Sequence, residues 1–76
     1  MTSMRELVAG ILKCPVQSIH SRSGLGVDPR WDSFAQLNIM LALEEQYNIE
    51  ITDENIRRYS RFDALQELAQ SRETAR

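Results

Sequence analysis

A chain of 76 residues, 42% hydrophobic and 26% charged, is one small folded domain, too apolar for a disordered chain and too short to enclose a large catalytic cleft beside its core. Its single cysteine, Cys14, and single histidine, His20, exclude an internal disulfide, a thiolate metal site and a paired-histidine zinc site. No apolar run reaches the roughly 18 residues of a membrane span, and no charged-then-apolar signal segment is present, so the expected compartment is the cytoplasm.

The net charge of −2 is unevenly spread. Between residues 28 and 54 the acids Asp28, Asp32, Glu44, Glu45, Glu50, Asp53 and Glu54 face one base, Arg30. The flanks lean basic, with Arg5, Lys13 and Arg22 before this stretch and Arg57, Arg58, Arg61, Arg72 and Arg76 after it. An acidic middle argues against nucleic-acid binding through that surface. It suits a basic protein partner, and it equally suits a plain solvated helix surface.

Three serines carry a helix-start signature, each followed three residues later by an acidic or amide side chain: Ser3 with Glu6, Ser33 with Gln36, and Ser60 with Asp63. In a capping box of this kind the serine oxygen takes an otherwise unpaired amide and the later side chain reaches back. The first helix is expected over residues 4–13, with Leu7, Val8, Ile11 and Leu12 as its apolar stripe, and Pro15 ending it. The chain begins at Met1 with no linker-like stretch, which suggests a free-standing protein.

Residues 15–32 form a connection with Gly24, Gly26 and Pro29, too long for an empty loop in a compact domain. Val16, Ile19, Leu25 and Val27 are the expected anchors. The second helix follows over residues 33–47, free of glycine and proline, and Asn48 is a plausible stop. Ile49 and Ile51 read as an extended connector pointing into the core. Thr52 then caps a short helix through about Tyr59, and a last helix over residues 61–70 carries Phe62, Leu65, Leu68 and Ala69 at helical spacing. Residues 71–76 are expected to fray. The expected fold is all-α, one domain over residues 1–76: a four-helix bundle of three main helices plus a short third, with a long loop between helices 1 and 2.

The second helix has two apolar stripes. At about 100° per residue, Ile39, Met40, Leu43 and Tyr47 fall on one side, and Phe34, Leu37 and Leu41 on another. A domain this small cannot easily bury both, so Phe34, Leu37 and Leu41 are expected to remain partly exposed for a partner.

The segment Trp31-Asp32-Ser33-Phe34, continued by LNIMLALEEQYNIEITDE, resembles the acyl carrier protein family. That family's signature is Asp-Ser-Leu at the start of its second helix. Apolar residues, an Ala-Leu-Glu-Glu step, an aromatic and an Ile-x-Ile-x-Asp-Glu connector follow. Here these stand as Asp32-Ser33-Phe34, Ala42-Leu43-Glu44-Glu45, Tyr47, and the run from Ile49 to Glu54. The dipeptide alone is uninformative, whereas the run over some twenty residues is specific.

The resemblance implies a carrier without catalysis of its own. Ser33 would bear a covalent 4′-phosphopantetheine arm, drawn from coenzyme A by a phosphopantetheinyl transferase. Asp32 would assist that step, in which magnesium also takes part, while the carrier stores no metal. The arm would hold an acyl or aminoacyl group as a thioester and present it to ligase or synthase enzymes. Phe34, Leu37 and Leu41 would form the docking surface, with Glu44, Glu45, Asp53 and Glu54 attracting basic partners. Neither a membrane nor a nucleic acid is an expected partner, and a monomer is expected. Any cavity for the acyl chain would lie among Met40, Leu43, Ile51, Ile56 and Tyr59, which as bare sequence read as core.

The departures from that pattern have a direction. Phe34 replaces the usual leucine, and Trp31 replaces a small residue. Ala35 and Asn38 stand where fatty-acid-synthesis carriers place acids, and Arg57 and Arg58 make the third helix basic. The chain thus looks more like the stand-alone type II carriers of specialised pathways. The alternative of another class is an unmodified helical protein-interaction module in which Ser33 is only an N-cap. A small hydrolase using Ser33, Asp32 and His20 is disfavoured because no oxyanion-hole motif accompanies them. Cys14 reads as an inert small residue, His20 as a surface or packing residue, and Trp31 as either an arm or partner contact or a cover for the bundle end.

Overall fold

The structure, a computed structural model, describes residues 3–74, with side chains to residue 72. Among them lie four α-helices: α1 (Met4–Leu12), α2 (Ser33–Tyr47), α3 (Asp53–Arg58) and α4 (Phe62–Thr74). Helix α1 packs on α2 and α4, and α2 packs on α3. The expected all-α bundle with a short third helix and a long first loop is the architecture observed. Residues 1, 2, 75 and 76 lie outside the described residues, and with them the end of the stretch expected to fray.

Helix α1 starts as its sequence requires. The Ser3 hydroxyl accepts from the Glu6 amide and the Glu6 carboxylate accepts from the Ser3 amide, a complete capping box. The Ser3 amide also holds the Glu6 carboxyl below its ordinary value, by favouring its charged form. Lys13 ends the helix in the left-handed conformation, φ 58°, one residue earlier than expected. Asn48 does the same after α2, where a short polar side chain tolerates that geometry better. The Thr52 hydroxyl caps α3 by accepting from the Asn55 amide, and the Asn55 side chain donates to the Glu50 carbonyl, closing the connector.

The core is built from Met4, Leu7, Val8, Ala9 and Leu12 of α1, Ala35, Ile39, Met40 and Leu43 of α2, Phe62 and Leu65 of α4, and Ile19 and Trp31 from the loop. Half-buried Ile49, Ile51, Ile56, Tyr59 and Leu68 pack around it. The connector isoleucines thus face the core as expected.

The long loop is anchored differently from the expectation. Ile19 is buried, but Val16, Leu25 and Val27 are exposed. The reason is that backbone pairing does much of their work. Gly24 and Arg61 form an isolated antiparallel bridge, in which Leu25 donates to the Ser60 carbonyl (2.9 Å) and Phe62 donates to the Ser23 carbonyl (2.8 Å). Gly24 is required there, since a Cβ would stand 2.8 Å from the Ser60 carbonyl oxygen and 3.3 Å from the Arg61 Cα. A single 3₁₀ turn, Val16–Ser18, and an Arg5 guanidinium that donates to the Ile19 carbonyl and covers the Phe62 ring complete the anchoring.

Two further expectations are corrected. Ser60 does not cap α4 with Asp63; its hydroxyl donates backward to the Arg57 carbonyl, because the chain at residues 60–61 is committed to the Gly24 bridge. The last helix also runs on to Thr74 rather than ending at residue 70. No glycine or proline interrupts it, and Arg72 lies over the Tyr47 ring, which ties its final turns to the end of α2.

Candidate functional site

The start of α2 is assembled by the residues immediately before it. Asp28 and Arg30 form a clasp: the Asp28 carboxylate accepts from the Arg30 amide (2.9 Å) and from its guanidinium (3.1 and 3.0 Å). The Arg30 side chain, with its backbone amide second, holds the Asp28 carboxyl below its usual range. The Trp31 amide then donates to the Asp28 carbonyl, and the chain turns inward. Trp31 is 1% exposed, so of its two open roles it takes the structural one, closing the end of the bundle.

Its indole N–H donates to the Gln36 side-chain oxygen at 2.7 Å. The Gln36 amide donates to the Ile56 carbonyl (2.9 Å) and the Tyr59 carbonyl (3.0 Å). Gln36 is 2% exposed, and among the described residues no buried side-chain polar atom lacks a partner. One glutamine therefore joins the loop end, the first turn of α2 and the C-terminal end of α3. Nothing in the sequence pattern announces this role, because a Gln at that position reads as half of a capping box.

That capping box is the principal correction. Ser33 is not the N-cap of α2. Asp32 is, in extended conformation, its carboxylate accepting from the Ala35 amide at 2.9 Å. A carboxylate at the positive end of the helix is at least as good a cap as a hydroxyl, and Gln36 is engaged inside the bundle. Ser33 becomes the first helical residue, exposed, and its hydroxyl makes no hydrogen bond to any described residue.

The docking residues expected from the sequence lie on the same helix. Phe34 is 73% exposed, and Leu37 and Leu41 are each 48% exposed, whereas Ile39, Met40 and Leu43 are fully buried. The two-stripe reading is thereby resolved, one stripe forming the core and the other facing solvent. Glu44, Glu45, Asp53 and Glu54 are exposed, with Glu54 engaged by Arg58 at 3.3 Å. Met40 and Leu43 are closed into the core, while Ile51, Ile56 and Tyr59 border it half-buried.

No family model, no curated protein and no solved structure matches this chain.

His20 does not join Ser33 and Asp32. It is an exposed loop residue whose backbone amide donates to the Ser23 hydroxyl. It lines a small groove with Asp28 and Arg30, to which neither Ser33 nor Asp32 contributes. Cys14 is half-buried against the core. A second groove, of about 660 Å³, runs between α3 and α4 and is lined by Arg57, Arg58 and Arg61 among others. The basic character of α3 was legible in the sequence, but the convergence with Arg61 was not, because it depends on the turn at residues 59–61.

Proposed function

We propose that this chain is a carrier of acyl or aminoacyl groups, held as thioesters on a 4′-phosphopantetheine arm at Ser33. One observation carries the reading. Inside the Asp-Ser run, the Ser33 hydroxyl is exposed and unbonded at the first turn of α2, beside a carboxylate that already does the capping. Ser33 would hold the arm through a phosphodiester, and the helix N-terminus favours the negative charge this brings. When bound, the arm supplies a thiol for thioester formation. The residues of this chain do the rest: Ser33 is accessible to a transferase, Asp32 fixes the turn that presents it, and the exposed Phe34, Leu37 and Leu41 give apolar area for docking.

Glu44, Glu45 and Asp53 add attraction for basic ligase or synthase partners. Glu54 adds to it, since its exposed pair with Arg58 is cheap to break. The departures at Trp31, Phe34, Ala35 and Asn38 favour a stand-alone carrier of a specialised pathway. We infer a cytoplasmic setting, consistent with the finding that among the described residues no helix is long and apolar enough to cross a membrane.

A second reading, an unmodified interaction module, draws on the exposed Phe34, Leu37 and Leu41 stripe, which serves docking with or without an arm. Its premise that Ser33 is needed as a cap is weakened by the Asp32 cap. Incubation with a broad-specificity phosphopantetheinyl transferase and coenzyme A, followed by intact-mass measurement, separates the two. The carrier gains the mass of one arm and Ser33→Ala gains nothing. No gain in the parent chain, or a gain that persists in the variant, overturns the carrier reading.

A further inference from the structure

The groove between α3 and α4 is a surface of opposite sign to the rest of the helical face. Arg57, Arg58 and Arg61 line it together with the half-buried ring of Tyr59, the half-buried Leu68, and one acid, Glu67, which leaves it net positive. The charges are weakly spoken for. Arg58 meets Glu54 at 3.3 Å and Arg61 meets Asp63 at 3.5 Å, both as exposed pairs, which are cheap to break in water. The Arg57 guanidinium has no partner among the described residues.

The backbone under these arginines is held firmly. The Ser60 hydroxyl donates to the Arg57 carbonyl, the Gly24–Arg61 bridge pins residue 61, and Gln36 holds the Ile56 and Tyr59 carbonyls. A partner would therefore order mainly the arginine side chains and not the chain that carries them. Arginine forks match carboxylates bidentately, and the ring and Leu68 supply apolar area beside them.

We propose that this groove is a docking site for an acidic segment of a partner protein, separate from the Phe34, Leu37 and Leu41 face and independent of any modification at Ser33. The layout of α3 excludes a long polyanion such as nucleic acid. Asp53 and Glu54 stand in its first turn and Arg57 and Arg58 in its last, about 6 Å apart along the axis at four residues' rise. A continuous phosphate backbone laid on the arginines would run onto those acids, on a chain whose net charge is already −2. A short protein segment carries discrete carboxylates and can match the alternation.

The test is a titration of the full ¹⁵N-labelled chain with a short Glu- and Asp-rich peptide bearing one phenylalanine, followed by NMR, which also reports whether each variant is folded. Saturable shifts confined to residues of α3, the Ser60–Arg61 turn and the facing side of α4 are expected, weakening as salt rises. Arg57→Gln, which breaks no pair in the fold, should weaken binding about threefold, and the triple variant Arg57→Gln, Arg58→Gln, Arg61→Gln roughly tenfold or more. A control with Lys13→Gln and Arg22→Gln, which removes two positive charges from residues that do not line the groove, should bind like the parent. Absence of saturable shifts, shifts centred elsewhere, equal weakening in the control, or tighter binding of inorganic phosphate or duplex DNA at the groove would each overturn the proposal.

Discussion

Gln36→Leu is the sharpest probe of how the Ser33 turn is held. The substitution keeps the side chain's bulk and removes three hydrogen bonds from a position 2% exposed. The indole N–H of Trp31, itself 1% exposed, loses its acceptor, and a buried unpaired donor costs roughly 1–3 kcal/mol. The Ile56 and Tyr59 carbonyls belong to half-buried residues, and water can replace part of what each loses, so about 0.5–1 kcal/mol apiece is appropriate. The expected loss is roughly 2–5 kcal/mol, set against a total of about 4–11 kcal/mol for a domain of 76 residues. Urea unfolding followed by far-ultraviolet circular dichroism reads this as a midpoint lower by about 1–5 M, at a slope of roughly 1–2 kcal/mol per M. Repeating the measurement on a Trp31→Phe background isolates the indole bond, because the glutamine then has only its α3 partners to lose. A coupling of about 1 kcal/mol is expected. A loss below about 0.5 kcal/mol, or strict additivity in the cycle, would refute the claim that Gln36 joins the loop, α2 and α3.

The cap assignment separates two neighbours: Asp32→Ala should cost about 1 kcal/mol in urea unfolding and Ser33→Ala less than about 0.5, and the reverse order would return the capping role to Ser33. Gly24→Ala forces a Cβ to within 2.8 Å of a backbone oxygen. It should destabilise by roughly 1–3 kcal/mol and speed hydrogen exchange of the Leu25 and Phe62 amides, with unchanged exchange as the refuting result. Asp28 binds its proton more weakly in the folded chain than its ordinary value of 3.8 allows. Its clasp therefore stabilises above that value and the contribution disappears as pH falls through the lower, folded value. Asp28→Asn should accordingly flatten the acid limb of the stability profile below about pH 4, only in part because Glu6 acts in the same direction, and an unchanged limb would show the clasp to be inert.

What was legible in the sequence was whatever local chemistry decides. Ser3 with Glu6, Thr52, the glycine-free stretch of residues 33–47 and Asn48 each determine their own turn, and the bounds of α2 were read directly from them. The exposed stripe was legible too, since a single helix in so small a domain has no room to bury Phe34, Leu37 and Leu41 as well as Ile39, Met40 and Leu43. The Asp32 cap was missed at short range, but most failures involve partners distant in sequence. Gln36 has its α3 partners 20 and 23 residues away, so a local rule assigned it to the nearest cap. Ser60 was likewise read as a cap, yet the stretch it belongs to is bound to Gly24. Val16, Leu25 and Val27 were given the anchoring task that backbone pairing performs, which no side-chain pattern encodes.

The division of labour between Asp32 and Ser33 leads to one last expectation. Because the Asp32 carboxylate already takes the Ala35 amide, a phosphodiester on Ser33 would reach a helix end where one anion is in place. The remaining first-turn amides and the helix dipole favour the added charge by about 0.3–1 kcal/mol. Two unit charges about 6 Å apart in water repel by roughly 0.7 kcal/mol, a figure that salt reduces. These terms nearly cancel, so attachment of the arm should leave the unfolding midpoint of the chain almost unchanged at physiological ionic strength. Comparison of the modified and unmodified chain by thermal unfolding tests this, and Asp32→Asn should shift the balance toward stabilisation on modification, because it removes the repulsion and keeps an oxygen for the Ala35 amide. A stabilisation well above 1 kcal/mol in the parent chain would refute the balance. It would mean that the arm lies against the bundle itself, with the exposed ring of Phe34 the nearest apolar surface in sequence.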